Sequence, residues 1–188
     1  MMSDLGVAPG QTIGPFFHNA LSYPGDRELA PVDGTDSIRL HGLVFDGAGG
    51  GVPDAVVEIR QADPSGVVPS IEGSIRRVGA SFTGWGRSTT DRRGRFWFST
   101  LFPGPTHKGG AAFFSVGVFA RGVLDRLFTR IYLPDQDAVH PNDPLLATLT
   151  VEERRRMIAR RDGASTLRFD IHLQGPRQSI FLDFSGPG

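Results

Sequence analysis

Short apolar runs separated by turn-forming residues recur along most of this 188-residue chain, which contains 25 glycines and 14 prolines. Glycine and proline mark turns, so the apolar runs between them are too short for long helices. Strands are predicted at residues 38–45, 55–60, 95–98, 113–119, 129–133, 167–174 and 180–184. The run at 113–119 lacks a polar face and is expected to be buried on both sides. The pattern predicts an all-β fold, a two-sheet β-sandwich with one or two short helices.

One helix is predicted at residues 150–161. Thr150 and Glu153 have the spacing of a capping box, in which each side chain satisfies the other's backbone N–H. Arginines follow toward the negative end of the helix, and Glu152 and Arg156 are spaced to form an ion pair. Long loops are expected at 69–79 and 134–144.

Bulk composition limits the function classes. Twenty basic and twenty acidic side chains balance, which does not favour nucleic acid or an anionic membrane as a partner. The chain has no cysteine, which excludes disulfides and thiolate metal sites. No secretory signal or membrane-length apolar run is apparent, so a cytoplasmic location is expected. The length suits one domain, predicted at residues 36–188 and preceded by an arm at 1–35 that contacts a partner chain.

The segment 11–17 is the core of this arm, and it combines polar, rigid and aromatic residues. Gly14 permits close approach of another backbone or a ligand, and Pro15 fixes its own φ and favours an extended residue before it. Phe16 and Phe17 follow directly. A domain of this size does not need such an arm for its own folding, which indicates a role in binding or assembly.

Other metal or catalytic patterns are weak. The five histidines are scattered, and Asp170 and His172 are expected to share the polar face of one strand, where a solvated or interface role is the simpler interpretation. No nucleophile-elbow or phosphate-loop context is present. Trp85 and Trp97 are expected in the core or at an interface.

Several motifs recur, in this order, in one enzyme family. They are the arm at 11–17, the segments 52–63, 84–87, 119–122 and 129–132, and the stretch 168–175. On these motifs the chain resembles the intradiol ring-cleavage dioxygenases nearly from end to end. One departure is Arg60, where the family commonly has tryptophan.

In this family, ferric iron is held by two tyrosines and two histidines. By resemblance, the corresponding positions here are Val68, Thr106, Phe113 and Ser115. Valine and phenylalanine offer no lone pair, and the chain has only two tyrosines and no His-x-His pair. The resemblance therefore implies a chain without iron of its own. In heteromeric members of the family, a beta chain holds the Fe(III), so the isolated chain is expected to be inactive.

The resemblance also assigns substrate-binding residues to this type of chain: Arg121, Thr12, Gly14 and Pro15. The implied substrates are dioxygen and protocatechuate, a catechol with a ring carboxylate. An arginine fork can bind that carboxylate in a way that lysine cannot copy. Thr12 offers a hydroxyl, while Gly14 and Pro15 offer backbone shape. Without the family, Arg121 would be interpreted as a solvated arginine or one paired with an acid such as Asp125.

Two alternatives remain at this point. The hairpin formed by residues 42–46 and 52–55 also resembles transthyretin-like domains, which suggests a non-catalytic β-sandwich binding module. An autonomous dioxygenase with a rearranged metal site is the second alternative, and the missing tyrosines argue against it.

Overall fold

The computed structural model describes residues 12–70 and 82–184. Nearly all of the loop predicted at 69–79 and the first eleven residues of the predicted arm lie outside these ranges. In chain order the elements are α1 (Phe17–Leu21), β1 (Ile38–Phe45), β2 (Val56–Arg60), β3 (Trp85–Thr89), β4 (Arg95–Thr100), β5 (Phe113–Phe119), β6 (Leu127–Tyr132), two 3₁₀ turns (His140–Asn142 and Leu146–Thr148), α2 (Val151–Arg155), β7 (Arg160–Gly163), β8 (Thr166–Arg168) and β9 (Ile171–His172).

These strands form two sheets, which confirms the predicted all-β sandwich. The larger sheet has the order β4-β1-β8-β7, with β9 also paired to β1, and the smaller sheet has the order β3-β2-β5-β6. Strand β1 pairs antiparallel with β4 and parallel with both β8 and β9. The smaller sheet is antiparallel throughout.

Alternating residues of the facing strands fill the core between the sheets. Their side chains are almost wholly removed from water, which is the main favourable term in folding such a sandwich. The larger sheet contributes Leu40, Val44, Phe96, Phe98, Leu167 and Ile171, and the smaller sheet contributes Val57, Ile59, Phe114, Val116, Val118 and Ile131.

Strand β5 has the predicted bounds but not the predicted burial. Its inward residues lie in the core, whereas Ser115 on the opposite face is exposed and Phe113 and Phe119 are only half-buried. The apolar character of Phe119 is explained by the arm, because the ring of Phe17 packs on it with centroids 5.4 Å apart. At Phe119, this face is thus covered by a short helix rather than by a second sheet.

The single strand predicted at 167–174 is interrupted. Strands β8 and β9 each pair with β1, and between them the carboxylate of Asp170 accepts a hydrogen bond from the backbone N–H of Leu43 at 3.1 Å. The side chain takes the place of a backbone carbonyl in the ladder. A side chain at Gly42 would collide with the carbonyl oxygen of Phe169, so a glycine is required opposite the break.

Two predicted elements are wrong in extent or type. The capping box at Thr150 and Glu153 is present, but α2 ends at Arg155, since Met157 is buried and the backbone on either side of Ile158 hydrogen bonds to Tyr132. The segment 180–184 is not a strand. It lies beside β6 and forms only isolated hydrogen bonds with it, such as the one that the backbone N–H of Leu182 donates to the Phe128 carbonyl. No helix of the described ranges is long and apolar enough to cross a membrane.

Candidate functional site

The arm is fastened to the end of β5. The hydroxyl oxygen of Thr12 accepts a hydrogen bond from the backbone N–H of Gly122 at 2.7 Å, one residue beyond Arg121. Gly122 has a φ of +83°, a conformation that favours glycine. Arg87 donates to the carbonyl of Leu21 at 2.9 Å and so holds the far end of α1 to the smaller sheet. Two of the predicted site residues, Thr12 and Arg121, are therefore neighbours.

The Arg121 guanidinium is half-exposed and paired with one acid. Its Nη2 lies 2.9 Å from Oδ2 of Asp54, and Oδ1 of Asp54 lies 3.4 Å from Nε2 of His18 on α1. Asp125, the partner considered from the sequence, does not form this ion pair. Asp54 thus connects the arm to Arg121. A guanidinium has five N–H donors, so the single contact with Asp54 leaves donors for a further anion.

An open cleft of about 550 Å³ lies beside Arg121. Much of its wall is apolar, contributed by Val52, Val123, Leu127 and Leu173. The volume falls in the range of small-molecule sites, which combine apolar walls with a few polar groups. An arginine at the edge of an apolar cleft suits a flat aromatic ligand that carries a carboxylate.

The other two predicted site residues lie at the surface. Gly14 and Pro15 are exposed, and an added Cβ at Gly14 would have no atom within 4 Å. Neither lines the cleft beside Arg121. Within this chain, therefore, the segment has the shape of a projecting turn, closed by a 3.2 Å hydrogen bond from Phe17 N to the Gly14 carbonyl.

The four positions that the family resemblance assigned to iron do not fit a ferric ion. Val68 and Thr106 lie on exposed loops, and Phe113 and Ser115 lie on the outward face of β5. The guanidinium of Arg130 lies 4.1 Å from the centre of the Phe113 ring. Phenylalanine and valine have no donor atom, and a neighbouring guanidinium repels a trivalent cation.

Ser115 is also flanked by cations. It pairs in register with Arg60 on one neighbouring strand and with Arg130 on the other. Directly opposed side chains on adjacent strands are close enough to interact. The arginine at position 60, noted as a departure from the family, therefore adds a second positive charge beside one of these positions.

Asp170 and His172 do not form a common site. The Asp170 carboxylate is occupied by Arg168 at 3.0 Å and by the Leu43 amide. The ring of His172 stacks on Phe45 with centroids 4.9 Å apart, and burial, followed by the charge of Arg177, lowers the pKa of His172. Across residues 12–70 and 82–184, no three His, Asp or Glu side chains lie close enough together to hold a metal ion.

Sequence analysis missed Asp54 and His18. Both are far from Arg121 along the chain. Asp54 comes close to Arg121 because β2, which follows Asp54, pairs with β5. The segment 52–55 was recognised as part of a hairpin, but nothing in the pattern indicated which charged residue Asp54 would face. Both tryptophans, expected in the core or at an interface, are half-buried on outward faces.

Comparisons with known proteins agree with this architecture. The chain is 34% identical to the protocatechuate 3,4-dioxygenase alpha chain of Burkholderia cepacia, over 97% of this chain and 100% of that protein. It is 29% identical to the protocatechuate 3,4-dioxygenase beta chain of the same organism, over 90% of this chain and 76% of that protein. No family model matches the chain.

Among solved structures, the fold is similar to the dioxygenase domain of a dioxygenase carbohydrate-binding protein fusion from Streptomyces sp. SirexAA-E. The TM-score is 0.60 at 21% identity, and the match covers 89% of this chain and 97% of that chain. This likeness concerns the fold. None of the comparisons supports the transthyretin-like binding module.

Proposed function

Because this chain belongs to the intradiol ring-cleavage dioxygenases, and within them to the protocatechuate 3,4-dioxygenase alpha chains, we propose that it is the alpha subunit of a heteromeric enzyme. That enzyme cleaves protocatechuate between its two hydroxyl-bearing carbons with dioxygen and yields 3-carboxy-cis,cis-muconate. The observation that carries the proposal is the position of Arg121, which stands beside an apolar cleft at the point where the arm is fastened.

The role of Arg121 is to bind the ring carboxylate. Asp54 engages one nitrogen of the guanidinium and restricts its orientation, while the remaining N–H donors stay available at the half-exposed surface. A carboxylate bound by two parallel N–H bonds fixes both the position and the plane of the aromatic ring. The substrate is thereby oriented before any bond is broken, which is a recognised source of rate enhancement.

The arm forms the part of the substrate site that faces the beta chain. Thr12 is tied to Gly122, whereas Gly14, Pro15 and Phe16 project from this chain, and Phe16 is 75% exposed. An exposed aromatic side chain behind a rigid Gly-Pro turn suits insertion into a neighbouring chain. We place Thr12, Gly14 and Pro15 at the wall of the substrate pocket, where the arm meets the beta chain.

The iron belongs to the beta chain in this proposal. Ferric iron would activate the catechol oxygens of the substrate, and this chain would add no ligand to it. Support comes from the unsuitable residues at Val68, Thr106, Phe113 and Ser115 and from the similarity to both an alpha and a beta chain of one enzyme.

The test is an Arg121→Ala variant in the assembled alpha–beta enzyme. We expect kcat/KM for protocatechuate to fall by roughly 10- to 100-fold, since a charge-assisted contact contributes about 1.5–3 kcal/mol. Turnover of catechol, which lacks the carboxylate, should change little. Arg92→Ala, which removes an exposed arginine at the β3–β4 turn, is the matched control. Equal losses on both substrates would rule out the carboxylate-binding role.

A further inference from the structure

The outward face of the larger sheet carries a second cleft, of about 700 Å³, with a strongly basic lining. It shares no lining residue with the cleft beside Arg121. Its basic residues are Arg27, Arg39, His41, Arg95 and Arg168, and its one acid is Asp91. We propose that this cleft binds small anions that carry several carboxylate or phosphate groups.

Two of these arginines share one aromatic ring. The guanidinium carbon of Arg27 lies 4.3 Å from the centre of the Trp97 ring, and that of Arg39 lies 4.6 Å from it. Stacking on tryptophan uses the face of a guanidinium and leaves its N–H donors at the edge. One ring therefore holds two guanidinium groups, and both arginines line the cleft.

The two stacked arginines differ from the other basic residues of the cleft in their ion pairing. In the described part of the chain, neither Arg27 nor Arg39 forms an ion pair with a carboxylate, whereas each of the other basic residues of the cleft contacts one. Arg95 pairs with Asp91 at 2.8 Å, Arg168 with Asp170 at 3.0 Å and His41 with Asp162 at 2.8 Å. A bound anion would therefore supply the carboxylate or phosphate partner that this ion-pair pattern lacks.

The size and chemistry of the cleft indicate the class of ligand. A volume of about 700 Å³ exceeds the space of a single inorganic ion and lies within the range of small-molecule sites. The planar fork of arginine matches carboxylate and phosphate oxygens in pairs. Two such forks on one ring suit a ligand with at least two anionic groups.

The experiment uses the full-length chain with a Trp85→Phe substitution, so that Trp97 is its only tryptophan. Citrate and pyrophosphate are titrated separately at constant ionic strength, and binding is followed by Trp97 fluorescence and by calorimetry. We expect saturable binding of at least one of them. The two titrations distinguish carboxylate from phosphate recognition. Chloride, added as sodium chloride, serves as the monovalent control anion.

An Arg27→Gln/Arg39→Gln variant should weaken this binding by at least about tenfold, because two charge-assisted contacts are lost. An Arg60→Gln/Arg126→Gln variant removes the same charge from the smaller sheet and should bind as the parent does. The single substitution Arg39→Gln, at an exposed position, provides a second measurement of the loss of anion affinity.

Three results of the titrations would overturn the proposal. They are equal affinity in the parent and the Arg27/Arg39 variant, equal weakening by the control variant, or no saturable binding of either probe at constant ionic strength. Binding that disappears when the beta chain is bound would also reject it, because the cleft would then be a protein interface and not a small-anion site.

Discussion

At the scale of single residues, Asp54 links the arm to the proposed substrate-binding residue. Its two carboxylate oxygens contact different groups, Arg121 on one side and His18 on the other. Asp54 is also the only non-glycine residue of the described ranges with a positive φ, at 64°. Aspartate and asparagine tolerate this left-handed conformation better than most residues do. The turn therefore presents the carboxylate without the strain that alanine would suffer.

An Asp54→Asn substitution should loosen the arm while preserving the turn. Partly exposed ion pairs contribute about 0.2–1 kcal/mol, so we expect backbone amides of residues 17–21 to exchange with solvent roughly two- to fivefold faster. Hydrogen exchange followed by NMR or mass spectrometry measures this rate. Asp125→Asn, which removes a nearby exposed acid, is the control. Equal rates in all three proteins would show that Asp54 does not hold the arm.

At the scale of elements, strand β9 holds a half-buried histidine against β1. His172 on β9 stacks on Phe45 of β1, and burial lowers its pKa. The charge of Arg177 lowers it further, whereas that of Asp170 raises it. The folded state therefore binds a proton at His172 less readily than the unfolded chain does.

Stability should consequently depend on pH through this residue. The contribution of neutral His172 is complete above the unfolded pKa of about 6.5 and is lost as the pH falls below it, because the unfolded chain takes up the proton first. Urea denaturation at pH 7.5 and 5.5 should show a smaller difference in unfolding free energy for His172→Gln than for the parent. His107→Gln, at an exposed loop position, should retain the parent difference. If His172→Gln showed the same difference in unfolding free energy between the two pH values as the parent, this assignment would be contradicted.

Sequence patterns correctly predicted the elements that are determined by local residue patterns. The bounds of β1 and β5 and the capping box of α2 all follow local rules and are present. Patterns failed where tertiary contacts override them. The helix ended early because the backbone beside Ile158 pairs with Tyr132, and β7 was missed because all of its residues are exposed.

In the candidate site, too, some residues were predicted from the sequence and others depend on tertiary contacts. Arg121 and Thr12 were predicted from the family resemblance, and the structure places the arm beside Arg121 through the Thr12–Gly122 hydrogen bond. The contacts of Asp54 were not predictable, since they depend on the packing of a turn against a strand end distant in sequence. The surroundings of Trp97 were not predictable either. Its position beside Arg39 depends on the register of β1 and β4, and Arg27 comes from a turn that precedes β1 in the chain.

At the scale of the whole molecule, the two outer faces of the sandwich differ. The smaller sheet is covered in part by α1 and by the C-terminal segment, through contacts such as Phe17 with Phe119 and Phe184 with Phe128. The larger sheet instead exposes the basic cleft around Trp97. The arm and Arg121 lie at one end of β5, so a partner chain that completes the substrate pocket would approach there.

The central claim is that this chain shapes the substrate pocket and that its partner holds the iron. The most direct measurement is iron content, visible absorption and oxygen uptake with protocatechuate, for the chain purified alone in the presence of ferric iron and for the chain co-purified with its beta chain. We predict that the alpha–beta complex contains iron, shows tyrosinate-to-iron absorption and consumes oxygen, and that the isolated chain does none of these. An isolated chain that binds ferric iron, is coloured and consumes oxygen would contradict the account.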